Sequence, residues 1–153
     1  MTAFRLMLLR YPIILILSVF MLACSTPDKH FLDKATTMGE QLMDTMAQQK
    51  YNETVRLYDP AFFERIDHGG WITILKRVNE KLGTYKSREI TAHRVTRGFS
   101  SRGTATTVLV YHVHHEKDFT VQKLTFLSDE KGENMRVVGH YIDYPQQEGE
   151  PFR

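Results

Sequence analysis

Residues 104–115 read TATTVLVYHVHH, and the alternation in this stretch decides the fold. Leu109, Tyr111 and Val113 fall on one face and Val108 and Val110 on the other. A period of two belongs to a strand and excludes an amphipathic helix. Working outward, residues 119–127 (FTVQKLTFL) answer as a second strand, and residues 135–144 supply another after a polar loop at 129–134. A tight turn centred on Lys117-Asp118 sets Tyr111 across from Leu124, Leu109 across from Phe126 and His112 across from Lys123. Residues 85–99 read as the leading strand, but Tyr85, Ile90 and Val95 do not share one parity, so a bulge is expected between them. The same slip falls between Val121 and Leu124. Two bulged strands predict a strongly curved, four-stranded antiparallel sheet.

Upstream of the strands the period changes to that of a helix. Ala35, Met38, Leu42 and Met46 lie at helical spacing, and this methionine-rich stripe reads as core. Asn52 is placed to cap a short turn holding Val55 and Tyr58. Asp59-Pro60 then combines a capping side chain with a first-turn proline. His68-Gly69-Gly70 is expected to end that piece. Trp71, Leu75, Val78 and Leu82 form the next stripe, closed by Gly83 as a C-terminal cap. Helices first and an antiparallel sheet afterwards make an α+β domain, the helices packed in the sheet's concavity.

The chain has 153 residues, of which 42% are hydrophobic and 25% charged, values of an ordinary globular domain. Residues 1–10 carry two arginines and no acid, and residues 11–23 (YPIILILSVFMLA) carry no charge. As a helix, that apolar run falls short of the ~30 Å hydrocarbon core, which fits a secretory signal better than a membrane span. Removing Arg5 and Arg10 with the signal leaves 18 of the 20 basic residues against 18 acidic ones. Nucleic-acid binding then loses its electrostatic basis. The single cysteine, Cys24, excludes an internal disulfide and a cysteine-rich metal site.

Met21-Leu22-Ala23-Cys24 resembles the lipobox of bacterial lipoproteins. The resemblance implies cleavage before Cys24, acylation of its thiol and amine, and a lipid anchor on the periplasmic side of the envelope. Ser25 after the cysteine resembles the outer-membrane sorting preference of enteric-type bacteria. Several acyl chains together anchor stably where one does not. The organisation expected is a signal peptide over residues 1–23, the lipidated cysteine and a tether over 24–32, the α+β domain over 33–145, and a polar tail over 146–153.

The element order resembles the nuclear-transport-factor-2-like (cystatin-like) superfamily, in which a cone-shaped sheet curls around the helices. Several segments are similar to an uncharacterised family of bacterial exported domains within it: Tyr51-Asn52, Trp71 with Leu75, residues 82–89 (LGTYKSRE), Val110-Tyr111-His112-Val113 and Val137-Val138-Gly139-His140-Tyr141. The resemblance implies the fold and an exported location, and no activity.

Three groups of side chains are candidates for chemistry. His112, His114 and His115 stand beside Glu116 and Asp118, but along a strand His112 and His114 point one way and His115 the other. The expected neighbour Lys123 would repel a cation and no third ligand is placed, so no metal and no cofactor is assigned. Inward positions assigned to Tyr85, Tyr111, His115, Tyr141 and Asp143 would line the concavity; of these Tyr111, His115 and Tyr141, with Leu124, form a candidate pocket for a small apolar ligand. No nucleophile elbow, phosphate loop or paired-carboxylate motif is present, and no catalytic residue is assigned. Finally, Arg88, Arg94 and Arg97 belong to a basic stretch suited to an anionic partner. The function expected is a membrane-anchored, non-catalytic binding or assembly module of the envelope, partnered by an envelope protein. The alternative is a small-ligand pocket protein or isomerase-like enzyme working in the concave face.

Overall fold

The computed structural model describes residues 27–98 and 104–144. Helix α1 (Pro27–Ala47) leads through the short α2 (Tyr51–Thr54) and two single 3₁₀ turns (Val55–Leu57 and Pro60–Glu64) to α3 (His68–Leu82). Strands β1 (Tyr85–Arg97), β2 (Thr104–His115), β3 (Phe119–Asp129) and β4 (Arg136–Asp143) follow, hydrogen-bonded in sequence order with every neighbour antiparallel. The α+β class and four strands are therefore as expected. Cys24, the signal segment and the polar tail lie outside the described residues. Among the described residues no helix is long and apolar enough to cross a membrane.

Several local expectations are corrected. Residues 27–32, expected within the tether, belong to α1, where Phe31 is buried. Asn52 lies inside α2, whose N-terminus has no side-chain cap. Gly69 and Gly70 do not end an element; they form the first turn of α3, because the Asp67 carboxylate accepts from Gly70 N–H at 2.8 Å. A satisfied N-terminal donor offsets part of the glycine penalty. The cap at the other end is as expected: Gly83 has φ of +79° and donates to Asn79 O at 2.8 Å.

The β2–β3 turn sits one residue earlier than the sequence implied. His115 N–H donates to Asp118 O at 2.8 Å, so Glu116 and Lys117 occupy the turn. Their own N–H groups donate to Thr84 O and Leu82 O, both at 2.9 Å, which ties the turn to the α3–β1 junction. The shift moves every cross-strand pair by two residues: Leu109 faces Leu124, Tyr111 faces Gln122, and His112 faces Val121 instead of Lys123. β1 is bulged where parity required it, with register shifts between Tyr85 and Ser87 and between Ile90 and Ala92. β3 is not bulged between Val121 and Leu124. Thr120, Gln122, Leu124, Phe126 and Ser128 alternate inward without a break, and Val121 is exposed. The irregularity falls instead in the β3–β4 pairing, between Thr125 and Phe126.

One core joins the two halves of the chain. Ala35, Leu42 and Met43 of α1 and Trp71 and Leu75 of α3 cluster with Leu109, Tyr111, Val113, Leu124, Phe126 and Val137 of the sheet. Met38 and Met46, expected as core, are partly buried against it. The approach of α1 to β2 is close at Gly39, where a Cβ would stand 2.5 Å from the Tyr111 hydroxyl. The segment after α2 returns to the far edge of the sheet: Tyr58 bridges Val137 in parallel, and Asp59 N–H donates to Val137 O at 2.8 Å. That bridge positions the site described next.

Candidate functional site

The stripe that α3 buries, Trp71, Leu75, Val78 and Leu82, faces the sheet, while β4 passes beside it. Between the two elements is a cavity of about 260 Å³ lined by Trp71, Ile74, Val78 and Leu82 from α3 and by His140 and Ile142 from β4. Arg77, Lys81, Tyr141 and Tyr144 complete the lining, and the Lys81 ammonium lies 5.9 Å from the centre of the Tyr144 ring. Among the described residues the walls are thus aliphatic and aromatic, with two cations and no carboxylate in the lining.

His140 is the ionisable group with the most altered environment there. Its Nδ1 accepts from the Tyr58 hydroxyl at 2.6 Å and its Nε2 faces Gln122 Oε1 at 2.9 Å. Burial pushes its pKa down to about 3, so the ring is neutral at ordinary pH. With Nε2 carrying the proton, the bonds run in one direction: Tyr58 to His140, His140 to Gln122, and Gln122 Nε2 to Thr120 Oγ1 at 2.9 Å. Thr120 Oγ1 is 3.4 Å from Nε2 of His115, which closes the series at the rim. Burial likewise lowers the pKa of His115, opposed by the Gly83 backbone, and raises that of the Tyr58 phenol.

Aromatic rings frame the histidine. Tyr58 lies nearly parallel to it at 6.0 Å between centroids, and Trp71 meets it at 5.2 Å and 67°. The indole Nε1 of Trp71 is buried beside the Tyr58 hydroxyl, whose pKa the indole partly lowers against the effect of burial.

The structure brings together few of the residues expected to line a pocket. Tyr111 and Leu124 are wholly buried within the packed core and line no cavity. Burial, reinforced by the Glu40 carboxylate, raises the pKa of the Tyr111 phenol. His115 is half-buried at the rim. Tyr141 is 60% exposed, opposite Lys123, and contributes to the cavity's edge. Asp143 is exposed opposite Val121. Tyr111 and Leu124 do point inward as expected, but the packed core fills the space in front of them, while the irregularity in the β3–β4 pairing turns His140 inward in place of Tyr141 and Asp143.

The basic stretch is also reorganised. Arg88 turns back onto α1, bonding Glu40 through Nε at 2.7 Å and through its terminal nitrogen, and Asp44 at 2.8 Å. Arg97 pairs with Asp28 at 2.8 Å and lies 5.0 Å from the centre of the Phe31 ring. Two of the three arginines therefore hold α1 to β1 and do not form a shared anion-facing surface. Arg94 is exposed on β1.

Sequence reasoning placed Tyr58 only in a short turn, gave Gln122 no role and met His140 only within the segment from Val137 to Tyr141. The usable signal was parity: His140 follows Val137 across an irregular step that only the pairing with β3 reveals. Compared with protein-family models, with curated proteins and with solved structures, the chain matches none. The site is therefore read from its own geometry.

Proposed function

We propose that this chain is a lipid-anchored module of the bacterial envelope, held at the outer membrane through Cys24, that binds a small apolar molecule with an acidic end. The domain is read as a cone of the nuclear-transport-factor-2-like kind; the helices-then-meander order and the irregular strands support that reading. The observation that carries the binding proposal is the cavity between α3 and β4, apolar in its walls. Arg77 supplies the charge that an acidic end would meet.

Binding is favoured over acid–base catalysis by the state of His140. Both of its ring nitrogens are already engaged, by Tyr58 and Gln122, and burial holds it neutral. A general base must reach the proton it removes, and a group bonded on both sides is not presented to a substrate. Tyr58 and His140 thus act as wall and support.

Two measurements test the proposal separately. Incorporation of labelled palmitate should disappear in Cys24→Ser; labelling that persists defeats the anchor. Octanoate should bind the full-length protein with saturable heat, and Ile74→Glu, which brings a carboxylate to an exposed lining position, should abolish it. Heat indistinguishable between the two proteins defeats the cavity as the binding site.

A further inference from the structure

On the face of the sheet away from the helices, three side chains converge that are independent of the cavity. His112 and His114 are two residues apart on β2 and so project to the same side, their ring centroids 4.7 Å apart. Glu89 of β1 is the cross-strand partner of His112, and its Oε1 lies 3.8 Å from Nδ1 of that ring. One ligating atom from each of Glu89, His112 and His114 lies within 4.8 Å of the others. We propose that these residues bind a divalent transition-metal ion of the zinc or copper class.

The observed register removes both obstacles seen in the sequence. Lys123 is not across from His112; Val121 is, and Lys123 lies two pairs further along, opposite Val110, with its ammonium 6.0 Å from the Tyr141 ring centre. The third ligand, which the sequence did not place, is Glu89. The adjacent cation Arg88 is turned to the opposite face by Glu40 and Asp44, so it does not neutralise Glu89. Phe119 packs edge-on against His112, ring centroids 4.5 Å apart, giving the ring an apolar wall on one side.

Donor chemistry selects the metal class. Two imidazoles and one carboxylate suit zinc or copper, whereas magnesium and calcium take all-oxygen shells. Bond lengths near 2.1 Å set tetrahedral ligand–ligand distances at roughly 3.4 Å, so the three atoms must draw in by about an ångström. The Glu89 side chain is 65% exposed and His114 is exposed, so side-chain rotation alone supplies this. Three protein ligands leave further coordination positions open, as in sites that exchange a fourth ligand.

The test is calorimetric titration of the full-length, untagged protein with Zn²⁺ at neutral pH. One equivalent should bind, and His112→Ala, His114→Ala and Glu89→Gln should each weaken it at least tenfold. His93→Ala, an exposed histidine elsewhere on β1, should bind as the parent does. All three ligands project from the sheet surface, and unchanged thermal melts of the variants without metal would establish intact folds. Absence of stoichiometric binding, or binding unchanged in the His112→Ala/His114→Ala double variant, overturns the proposal.

Discussion

The hydroxyl of Tyr58 donates to Nδ1 of His140 at 2.6 Å, joining a turn that follows the second helix to a strand 82 residues later. The backbone prepares this contact, since Tyr58 bridges Val137 and Asp59 N–H donates to Val137 O. Tyr58→Phe keeps the ring and leaves a buried ring nitrogen without a donor. The variant should lose about 1–3 kcal/mol in urea unfolding. A midpoint within error of the parent would show that the bond contributes nothing.

Neutral, buried His140 also makes stability depend on pH with a definite sign. Its pKa is depressed to about 3 in the fold, against about 6.5 in the unfolded chain. Between those values the unfolded state binds the extra proton, so acid favours unfolding. The stability this group contributes is present above pH ~6.5 and falls by roughly 1.4 kcal/mol per pH unit below it. His140→Asn should have a shallower acid dependence by about that amount between pH 6 and pH 4. His115, shifted in the same direction, remains in both proteins and cancels. Parallel profiles would contradict a neutral buried ring.

Helix α1 is set against β2 by an absent side chain. A Cβ at Gly39 would stand 2.5 Å from the Tyr111 hydroxyl, so Gly39→Ala should cost about 1–3 kcal/mol although alanine favours helix. Deleting the hydroxyl with Tyr111→Phe in the same chain should restore much of the loss. If Gly39→Ala stabilises the protein, the close approach is wrong.

Arg88 and Arg94 lie on the same strand, β1, with different roles. Reversing Arg88 places a negative charge beside Glu40 and Asp44 and should lower the melting temperature by several degrees. Reversing Arg94, which is exposed on β1, should leave it unchanged. Equal effects on melting would contradict the inward placement of Arg88.

The sequence was most readable where one period ran unbroken. Leu109, Tyr111 and Val113 announced β2, and Trp71, Leu75, Val78 and Leu82 announced α3 and its buried stripe. Gly83 and Asp59-Pro60 marked ends through local chemistry that needs no distant partner. Errors arose where tertiary contacts overrode local preference. The turn at Glu116-Lys117 is drawn one residue earlier by bonds to Leu82 and Thr84, and the two-residue displacement moved the expected partners of Tyr111 and His112. Thr120 and Gln122 are polar yet inward, so alternation suggested a bulge in β3 that does not exist. Gln122 is inward because Thr120 and His140 satisfy its amide, a pairing that spacing alone cannot disclose.

Trp71 is the single tryptophan of the chain and lines the α3–β4 cavity, so its emission reports occupancy of that cavity directly. The decisive measurement is a titration of the full-length protein with 8-bromooctanoate, an amphipathic anion whose bromine quenches indole on contact. Saturable quenching in the parent, displaced by octanoate and lost in Ile74→Glu, is the result expected. Quenching that rises linearly without saturation, equally in both proteins, would contradict the cavity as the place where this protein binds its ligand.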